Sequence, residues 1–184
     1  MKKLLIVFVL SLLFSVSACG EPTAEEELEN FYEQYEKQEA KAKANSFVEV
    51  GEAKAVGDWK AKITDVDYAA GDTIVDLAGP SSAPQGEYVM FTYEAVYQGK
   101  EDSSNARANL AWSLTGSDKR VREQVYPVTP YSVEGQFLDV APGGVATDQV
   151  VFDIAPEAIA GSVLRIEGYD DSGFPSFLSI KLDP

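Results

Sequence analysis

The sequence has 184 residues, 45% of them hydrophobic, and a formal net charge of −15. Nucleic-acid and anionic-lipid binding draw on clustered Lys and Arg, so this acidity argues against both as partners. The chain has no histidine and a single cysteine, Cys19. The lack of histidine excludes Ser-His-Asp and Cys-His catalysis and, together with the single cysteine, the usual zinc-ligand sets. A single cysteine also excludes an intramolecular disulfide.

Residues 1–18 have the three zones of a secretory signal. Lys2 and Lys3 come first, an apolar run follows over residues 4–14, and small residues predominate from Ser15 onward. The apolar run is shorter than the about 20 residues that a membrane-spanning helix needs. We therefore expect residues 1–18 to be a signal peptide that directs export.

The stretch Val16-Ser17-Ala18-Cys19 resembles the lipobox of bacterial lipoproteins. In that family the cysteine thiol receives a diacylglycerol, and a peptidase then makes this cysteine the first residue of the mature chain. Two acyl chains such as palmitate give stable anchoring, whereas one gives only marginal binding. The resemblance implies a protein anchored to the cell membrane through diacylglyceryl Cys19 and facing the extracellular or periplasmic side. The alternative is an ordinary secreted protein whose cysteine lies near a conventional cleavage site.

Residues 19–45 are interpreted as the lipidated N-terminus followed by an acidic helical spacer. Thr23 and Glu26 have the spacing of a capping box, which predicts a helix over about residues 24–44. Its apolar side chains share one helical face at Leu28, Phe31, Tyr32 and Tyr35. This face is either a docking surface for a partner helix or part of a charged spacer, and we favour the spacer. Fewer than three heptads argue against a coiled coil.

Residues 46–184 are predicted to form one all-β sandwich, because short β-type runs alternate there with Gly, Pro, Asp and Asn. Residues 47–66 predict two strands around Gly57-Asp58, with alternate side chains from Trp59 onward facing a core. Residues 86–100 predict a central strand, since they are apolar on both faces. Further strands are predicted within residues 107–116, 120–128, 135–140, 147–154, 162–169 and 177–182.

Three stretches of the chain resemble, in order, characteristic segments of an immunoglobulin-like domain family of unknown function. They are residues 50–66, 86–101 and 138–158. That family is common in Gram-positive lipoproteins and is similar to the mycobacterial immunoprotective extracellular antigens. Its members have a first hairpin, a hydrophobic strand ending in a polar turn, and later a Pro-Gly-Gly turn before another strand. The likeness covers roughly residues 48–168, with Tyr97-Gln98 replacing the usual Asn. It implies an immunoglobulin-like β-sandwich outside the membrane and supplies no catalytic residues.

Carboxylates are the remaining candidates for catalysis, because glycoside hydrolysis needs only two of them about 5 to 9.5 Å apart. The candidates are Glu94, Glu101, Asp153 and Glu167. The domain is so acidic that chance proximity of carboxylates is expected. We therefore assign no catalytic residue and predict that the protein is not an enzyme.

Clustered acidic residues raise a second hypothesis, a site for a hard cation such as Ca²⁺. The candidates are Asp65, Asp67, Asp72 and Asp76, and separately Asp170 and Asp171. Neither stretch has the spacing of an EF-hand loop. Acidic residues in turns commonly accept hydrogen bonds from their own backbone. We therefore assign no metal ligand and no cofactor.

Aromatic side chains within the stretch 125–137 raise a third hypothesis, a binding loop. Tyr126, Tyr131 and Phe137 lie in a predicted loop that two prolines stiffen. Rigid aromatic side chains on loops are useful binding anchors. The alternative, which we favour, is that they cover an open end of the core. Residues 76–86 are predicted to be a flexible loop, which is either long enough to contact a partner or simply an unconstrained insertion, because long surface loops cost little entropy.

These features favour a non-catalytic binding or interaction module of unknown ligand, with an envelope or extracellular protein as one partner class and no nucleic acid. The alternative is an accessory solute- or metal-binding lipoprotein that works with a membrane transporter. A concave pocket with converging polar groups would favour the solute binder. A flat, exposed apolar patch would favour a protein partner.

Overall fold

The computed structural model describes residues 23–44, 47–133, 139–170 and 173–184. The chain divides into two compact units, Met1–Lys37 and Gln38–Pro184. The helices are α1 (Ala24–Ala44), α2 (Gly71–Ala78), α3 (Ala106–Asn109) and α4 (Pro130–Val133), and 3₁₀ turns lie at Pro80–Ser82 and Pro156–Ala158. The strands are β1 (Lys54–Val56), β2 (Trp59–Asp67), β3 (Glu87–Tyr97), β4 (Ser104–Asn105), β5 (Leu110–Thr115), β6 (Val121–Glu123), β7 (Asp139–Val140), β8 (Val145–Ile154), β9 (Val163–Tyr169) and β10 (Pro175–Lys181). The predicted signal peptide and Cys19 lie outside the described residues.

Helix α1 begins with the predicted capping box. The Thr23 backbone N–H donates a hydrogen bond to Glu26 Oε2 at 2.8 Å, and the Glu26 N–H donates to Thr23 Oγ1 at 3.3 Å. These two bonds satisfy donors that a helix start leaves without intrahelical partners. The Phe31 ring centroid lies 6.2 Å from that of Tyr32 and 6.4 Å from that of Tyr35, so the predicted aromatic face is present.

Two four-stranded antiparallel sheets form the body of the second unit. The first sheet has the order β1-β2-β3-β8 and the second has the order β10-β9-β5-β6. Successive long strands change sheets, because β3 and β8 lie in the first sheet while β5 and β9 lie in the second. This alternation matches the Greek-key arrangement of immunoglobulin-like sandwiches. Strands β4 and β7 form a separate two-stranded sheet.

The main core lies between the inner faces of the two sheets. Trp59 and Ile63 of β2 are buried at 1% and 0% exposure, as the alternation in the sequence predicts. The Trp59 ring packs against Tyr97 with centroids 5.1 Å apart. The other large, fully buried side chains of this core are Phe91, Tyr93, Leu114, Phe152, Ile154, Leu164, Ile166 and Leu178. Burial of this apolar surface supplies the main driving force for folding.

Strand β3 is central in its sheet and apolar on both faces, as predicted. Its inner face carries Phe91, whereas Met90 joins a second cluster with Ile74 of α2 and Val151 of β8. Helix α2 was not predicted from the sequence. It contains residues 76–78, and residues 80–82 form a 3₁₀ turn, so the predicted flexible loop over residues 76–86 is wrong in its first half.

The strand predicted within residues 107–116 begins only at Leu110, because the residues before it form helix α3. The side chain of Asn105 accepts a hydrogen bond from the Ala108 N–H at 3.1 Å. An asparagine at this position is a strong helix N-cap. The short helix places Arg107 next to the edge of strand β8, where it pairs with Asp148.

Candidate ligand-binding cleft

Residues 124–133 lie beside β8, the edge strand of the first sheet. The Val125 N–H donates to the Val151 carbonyl oxygen at 2.9 Å, which joins the segment to the strand at one isolated bridge. Helix α4 then begins with reciprocal hydrogen bonds between Thr129 and Ser132. The Thr129 N–H donates to Ser132 Oγ at 2.7 Å, and the Ser132 N–H donates to Thr129 Oγ1 at 3.3 Å. The Val125 bridge joins the start of the segment to β8, and the Tyr131 N–H, which donates to Gln149 Oε1 at 3.4 Å, joins helix α4 to the same strand.

A half-open cleft of about 270 Å³ lies between this segment and β8. Its polar lining consists of Arg107, Gln124, Thr129, Ser132 and Gln149. Its apolar lining consists of Val125, Tyr126, Pro127, Val128 and Val151. A mainly apolar concavity with a few converging polar groups has the composition of small-molecule sites, and this volume lies just below their usual range of about 300–1,000 Å³.

Arg107 is fixed by a buried carboxylate. Its Nε and Nη2 atoms donate to Asp148 Oδ2 at 2.9 and 2.5 Å. The side chain of Asp148 is only 2% exposed, whereas that of Arg107 is 50% exposed. Because a buried charge needs a partner, Asp148 stabilises one orientation of the guanidinium. The guanidinium thus lies partly in solvent at the wall of the cleft.

Tyr93 lies directly opposite Asp148 in the register of β3 and β8. Its ring packs on Trp112 with centroids 4.7 Å apart, and its hydroxyl has no hydrogen-bond partner among the described residues. Burial raises the pKa of this hydroxyl well above its usual value. The negative charge of Asp148 raises the pKa further, while Arg107 partly opposes the shift. Tyr93 therefore stays neutral over the physiological pH range.

Gln149 connects the base of the cleft to helix α4 and to β3. Its Nε2 atom donates to Thr92 Oγ1 at 3.2 Å, and its Oε1 atom accepts from the Tyr131 N–H at 3.4 Å. The residue is 9% exposed. Since both ends of its amide are engaged, Gln149 is a fixed polar group in the cleft.

The aromatic residues singled out from the sequence have different environments. Tyr126 is 78% exposed and lies on the rim of the cleft, so it does not cover the core. Tyr131 is partly buried, and its backbone contacts Gln149. Phe137 lies outside the described residues. The preferred interpretation of these rings as a cover for the core is therefore wrong for Tyr126.

The four candidate catalytic carboxylates occupy ordinary structural positions. Glu94 pairs with Lys62 at 2.6 Å. Asp153 accepts hydrogen bonds from the backbone N–H groups of residues 85 and 86 at 2.8 and 2.9 Å, which holds the chain before β3. Glu167 accepts a hydrogen bond from the Tyr169 hydroxyl at 2.7 Å, and Glu101 is exposed. None of the four is among the residues that line the cleft.

Two of the acidic residues considered as cation ligands instead accept backbone hydrogen bonds within their own turns. Asp67 Oδ1 accepts from the Ala69 N–H at 3.0 Å, and Asp170 Oδ1 accepts from the Phe174 N–H at 3.1 Å. Asp65 lies on β2, Asp72 and Asp76 lie on α2, and Asp171 lies outside the described residues. Within the described parts of the chain, no three acidic side chains form a group that could hold a metal ion.

Sequence reasoning missed Arg107, Asp148 and Gln149. A usable signal was present, because Asp148 has the same parity along β8 as the core residues Val150 and Phe152. An inward-facing carboxylate in an apolar strand predicts a cationic partner nearby. The sequence alone does not identify Arg107 as that partner, since the contact joins two elements that are distant along the chain.

Comparisons with known proteins bear on the fold. No protein-family model and no curated protein matches the chain. The crystal structure of the yjhA protein from Bacillus subtilis is similar over 73% of this chain and 99% of its own, with 14% identity and a TM-score of 0.50. A conserved hypothetical protein from Bacillus anthracis matches over 64% of this chain and 87% of its own, with 12% identity and a TM-score of 0.45. The first likeness supports the all-β sandwich and, at this identity, the fold alone.

None of the helices in the described part of the chain is both long enough and apolar enough to cross a bilayer.

Proposed function

We propose that this chain is a lipid-anchored lipoprotein that faces outward from the cell membrane and binds a ligand without catalysing a reaction. The anchor part of the proposal rests on the lipobox-like stretch ending at Cys19, which follows an apolar signal-type run. An acidic helical spacer and a β-sandwich follow in that order. This order would let the sandwich reach ligands beyond the membrane surface.

The observation that carries the binding proposal is the cleft beside β8. It combines a guanidinium fixed by Asp148, a fixed amide at Gln149 and an apolar wall. Pre-organised polar groups next to an apolar surface favour binding, because little side-chain freedom is lost when a ligand enters.

The chemistry of the cleft argues against catalysis there. Its described lining contains no carboxylate, histidine or cysteine, and so lacks the usual general bases. The Ser132 hydroxyl already donates to the Thr129 carbonyl oxygen at 2.8 Å. The Arg107 guanidinium supplies hydrogen-bond donors and a positive charge and has no acceptor atom.

A second candidate function is an accessory lipoprotein that passes a solute to a membrane transporter. The size and concavity of the cleft favour a small solute over a broad protein surface. The two candidates differ in what accompanies the protein in the membrane. A carrier should co-purify with a transporter when the cleft is occupied, whereas a simple binding module should not.

The binding proposal can be tested by obstructing the cleft. Val128 lies in the lining and is 41% exposed, so Val128→Trp should fill the cleft. Val121 is 67% exposed on β6 and is not among the lining residues, so Val121→Trp is the matched control. The full chain and both variants are incubated with an envelope extract of the source cells, and retained species are identified by mass spectrometry.

The account predicts that at least one species is retained by the parent chain and by Val121→Trp but is lost from Val128→Trp. Identical retention by all three proteins, including no retention at all, would contradict the cleft as the binding site. Circular dichroism of each variant shows whether the sandwich is still folded.

A further inference from the structure

The free side of the Arg107 guanidinium indicates what the cleft recognises. A guanidinium carries five N–H donors. Asp148 Oδ2 accepts hydrogen bonds from Nε and Nη2 of Arg107. No acceptor within the described residues bonds to Nη1, although the side chain is half exposed and lines the cleft. The edge formed by Nη1 and Nη2 therefore retains donors for a ligand.

Charge balance decides which kind of acceptor fits this edge. Two oxygens of one oxyanion can accept two parallel N–H bonds from a guanidinium, which makes a carboxylate or a phosphate the natural partner. Asp148 already places one negative charge against Arg107, and the whole chain has a formal net charge of −15. A doubly charged phosphate would be repelled more strongly than a singly charged carboxylate. The carboxylate is therefore favoured.

The remaining walls determine what the carboxylate is attached to. Val125, Val128 and Val151 provide aliphatic surface, and Pro127 adds a rigid apolar face. An aliphatic group placed against them would lose contact with water, which favours binding. The volume of about 270 Å³ limits the enclosed part to a small ligand or to the end of a longer one.

We infer that the cleft binds a singly charged carboxylate with an aliphatic body, its carboxylate on the outer edge of Arg107 and its body against the valine wall. This inference rests on the proposed function, because it names the ligand class of the same cleft. A free aliphatic acid and the carboxyl terminus of a peptide present the same chemistry. Tyr126 lines the cleft and is 78% exposed, so its ring is available to contact a longer ligand.

The test compares a carboxylate with its neutral amide. The full chain in detergent micelles, labelled with ¹⁵N, is titrated with N-acetyl-Leu-Val and with the same dipeptide amidated at its carboxyl terminus. Signals of the Arg107 Nε–H and of the Gln149 amide report binding in the cleft. We expect the acid to bind at least tenfold more tightly than the amide, because the charge-assisted bonds to Arg107 are lost in the amide.

A third ligand distinguishes the two sources of the carboxylate. A hexapeptide that ends in Leu-Val with a free carboxyl terminus should bind at least as tightly as the dipeptide if peptide termini are the ligands. A small free acid is indicated if the dipeptide binds and the hexapeptide is excluded. Both results support recognition of a carboxylate in the cleft.

The variants are chosen so that no buried charge is left alone. The double variant Arg107→Gln with Asp148→Asn removes both partners of the ion pair and should abolish the preference for acid over amide. The matched control is Arg122→Gln with Asp118→Asn, which removes both partners of an Arg–Asp ion pair outside the cleft lining. This control should keep the full preference. Arg107→Lys retains the charge but loses the planar fork, so an intermediate preference is expected.

Several results would overturn the inference. Equal affinity for acid and amide, with shifts in the cleft, would retain the cleft as a binding site but reject the carboxylate. Shifts confined to residues outside the cleft, or no binding by any of the three probes, would also reject it. In both cases the envelope-extract experiment with Val128→Trp decides separately whether the proposed function stands.

Discussion

At the scale of single residues, the least ordinary group is the buried hydroxyl of Tyr93. It is fully buried, it faces Asp148 across the strand pair, and it has no hydrogen-bond partner among the described residues. An unsatisfied buried hydroxyl costs about 1–3 kcal/mol.

We predict that Tyr93→Phe leaves the free energy of unfolding unchanged or raises it by about 1 kcal/mol. Urea denaturation of parent and variant at pH 7 measures the difference. A loss of stability above about 1 kcal/mol would mean that the hydroxyl is hydrogen-bonded.

Tyr93 also makes the free energy of unfolding depend on pH in the alkaline range. The folded-state pKa of Tyr93 is raised by burial, and then by Asp148, above the value of about 10 in an unfolded chain. Below pH 10 both states keep the proton, so this contribution is fully present. As pH rises above 10, the unfolded state releases the proton first and the folded state becomes less stable. Denaturation at pH 9, 10 and 11 should show a shallower decline for Tyr93→Phe than for the parent. Parallel declines in the stability of parent and variant would contradict a raised pKa for Tyr93.

The ion pair between Arg107 and Asp148 gives a second prediction at the residue scale. Arg107→Gln leaves a buried carboxylate without its cation, which costs about 3–5 kcal/mol for a fully buried pair. Because Arg107 is half exposed, we expect a loss at or below the lower end of that range. Adding Asp148→Asn should recover part of the loss, as measured by thermal denaturation of both variants. If the double variant is no more stable than the single one, the pair does not act as described.

At the scale of elements, the turn between β1 and β2 also contacts the end of β9. Gly57 has a positive φ of 58°, and a Cβ atom there would overlap the backbone of Tyr169. The Asp58 N–H donates to the Tyr169 carbonyl oxygen at 3.3 Å. Gly57 is therefore required both for the turn and for the close approach of two backbones.

We predict that Gly57→Ala destabilises the protein by about 1–3 kcal/mol, because it adds a steric overlap to an unfavourable φ. Gly51 is the matched control, since it has a φ of 90° and open space around its Cβ position. Gly51→Ala should cost less than Gly57→Ala in the same denaturation experiment. Equal losses would show that φ alone, and not the contact with Tyr169, determines the effect.

The sequence predicts elements well where burial alternates regularly over several residues. The hairpin around Gly57, the central strand β3 and the helix α1 with its capping box are confirmed. Helix α2 was missed because it is eight residues long and is stabilised by Ile74 packing on the sheet. Strand β4 has two residues, which is too short for a periodic pattern, whereas β7 at Asp139–Val140 lies within the strand predicted over residues 135–140.

The candidate site was predicted only in part. The aromatic residues and prolines of residues 125–137 raised the hypothesis of a binding loop beside the favoured one of a core cover, and Tyr126 does line the cleft. The cleft itself depends on contacts between α3, β8 and the segment before α4, which are separated along the chain. Such long-range contacts follow from the strand order and not from local patterns. This is why Arg107 and Gln149 emerge only from the three-dimensional arrangement.

At the scale of the whole molecule, the proposed anchor makes a prediction about location. Cys19→Ser removes the thiol that would receive the diacylglycerol, so the exported chain should move from the membrane to the soluble fraction. It should also lose labelling by palmitate, whereas Ser17→Ala should keep both properties. Cell fractionation and intact-mass measurement test this. A Cys19→Ser chain that remains membrane-bound after export would contradict lipid anchoring.

The claim that the cleft is the binding site is tested most directly by photo-crosslinking in living cells of the source organism. A photo-crosslinking amino acid is introduced at Tyr126 on the cleft rim, and separately at Tyr169, an exposed tyrosine on β9 that is not among the lining residues. The account predicts a specific adduct at position 126 that is absent at position 169 and is suppressed by Val128→Trp. The same adducts at both positions, or an adduct at 126 that persists with the cleft filled, would contradict it.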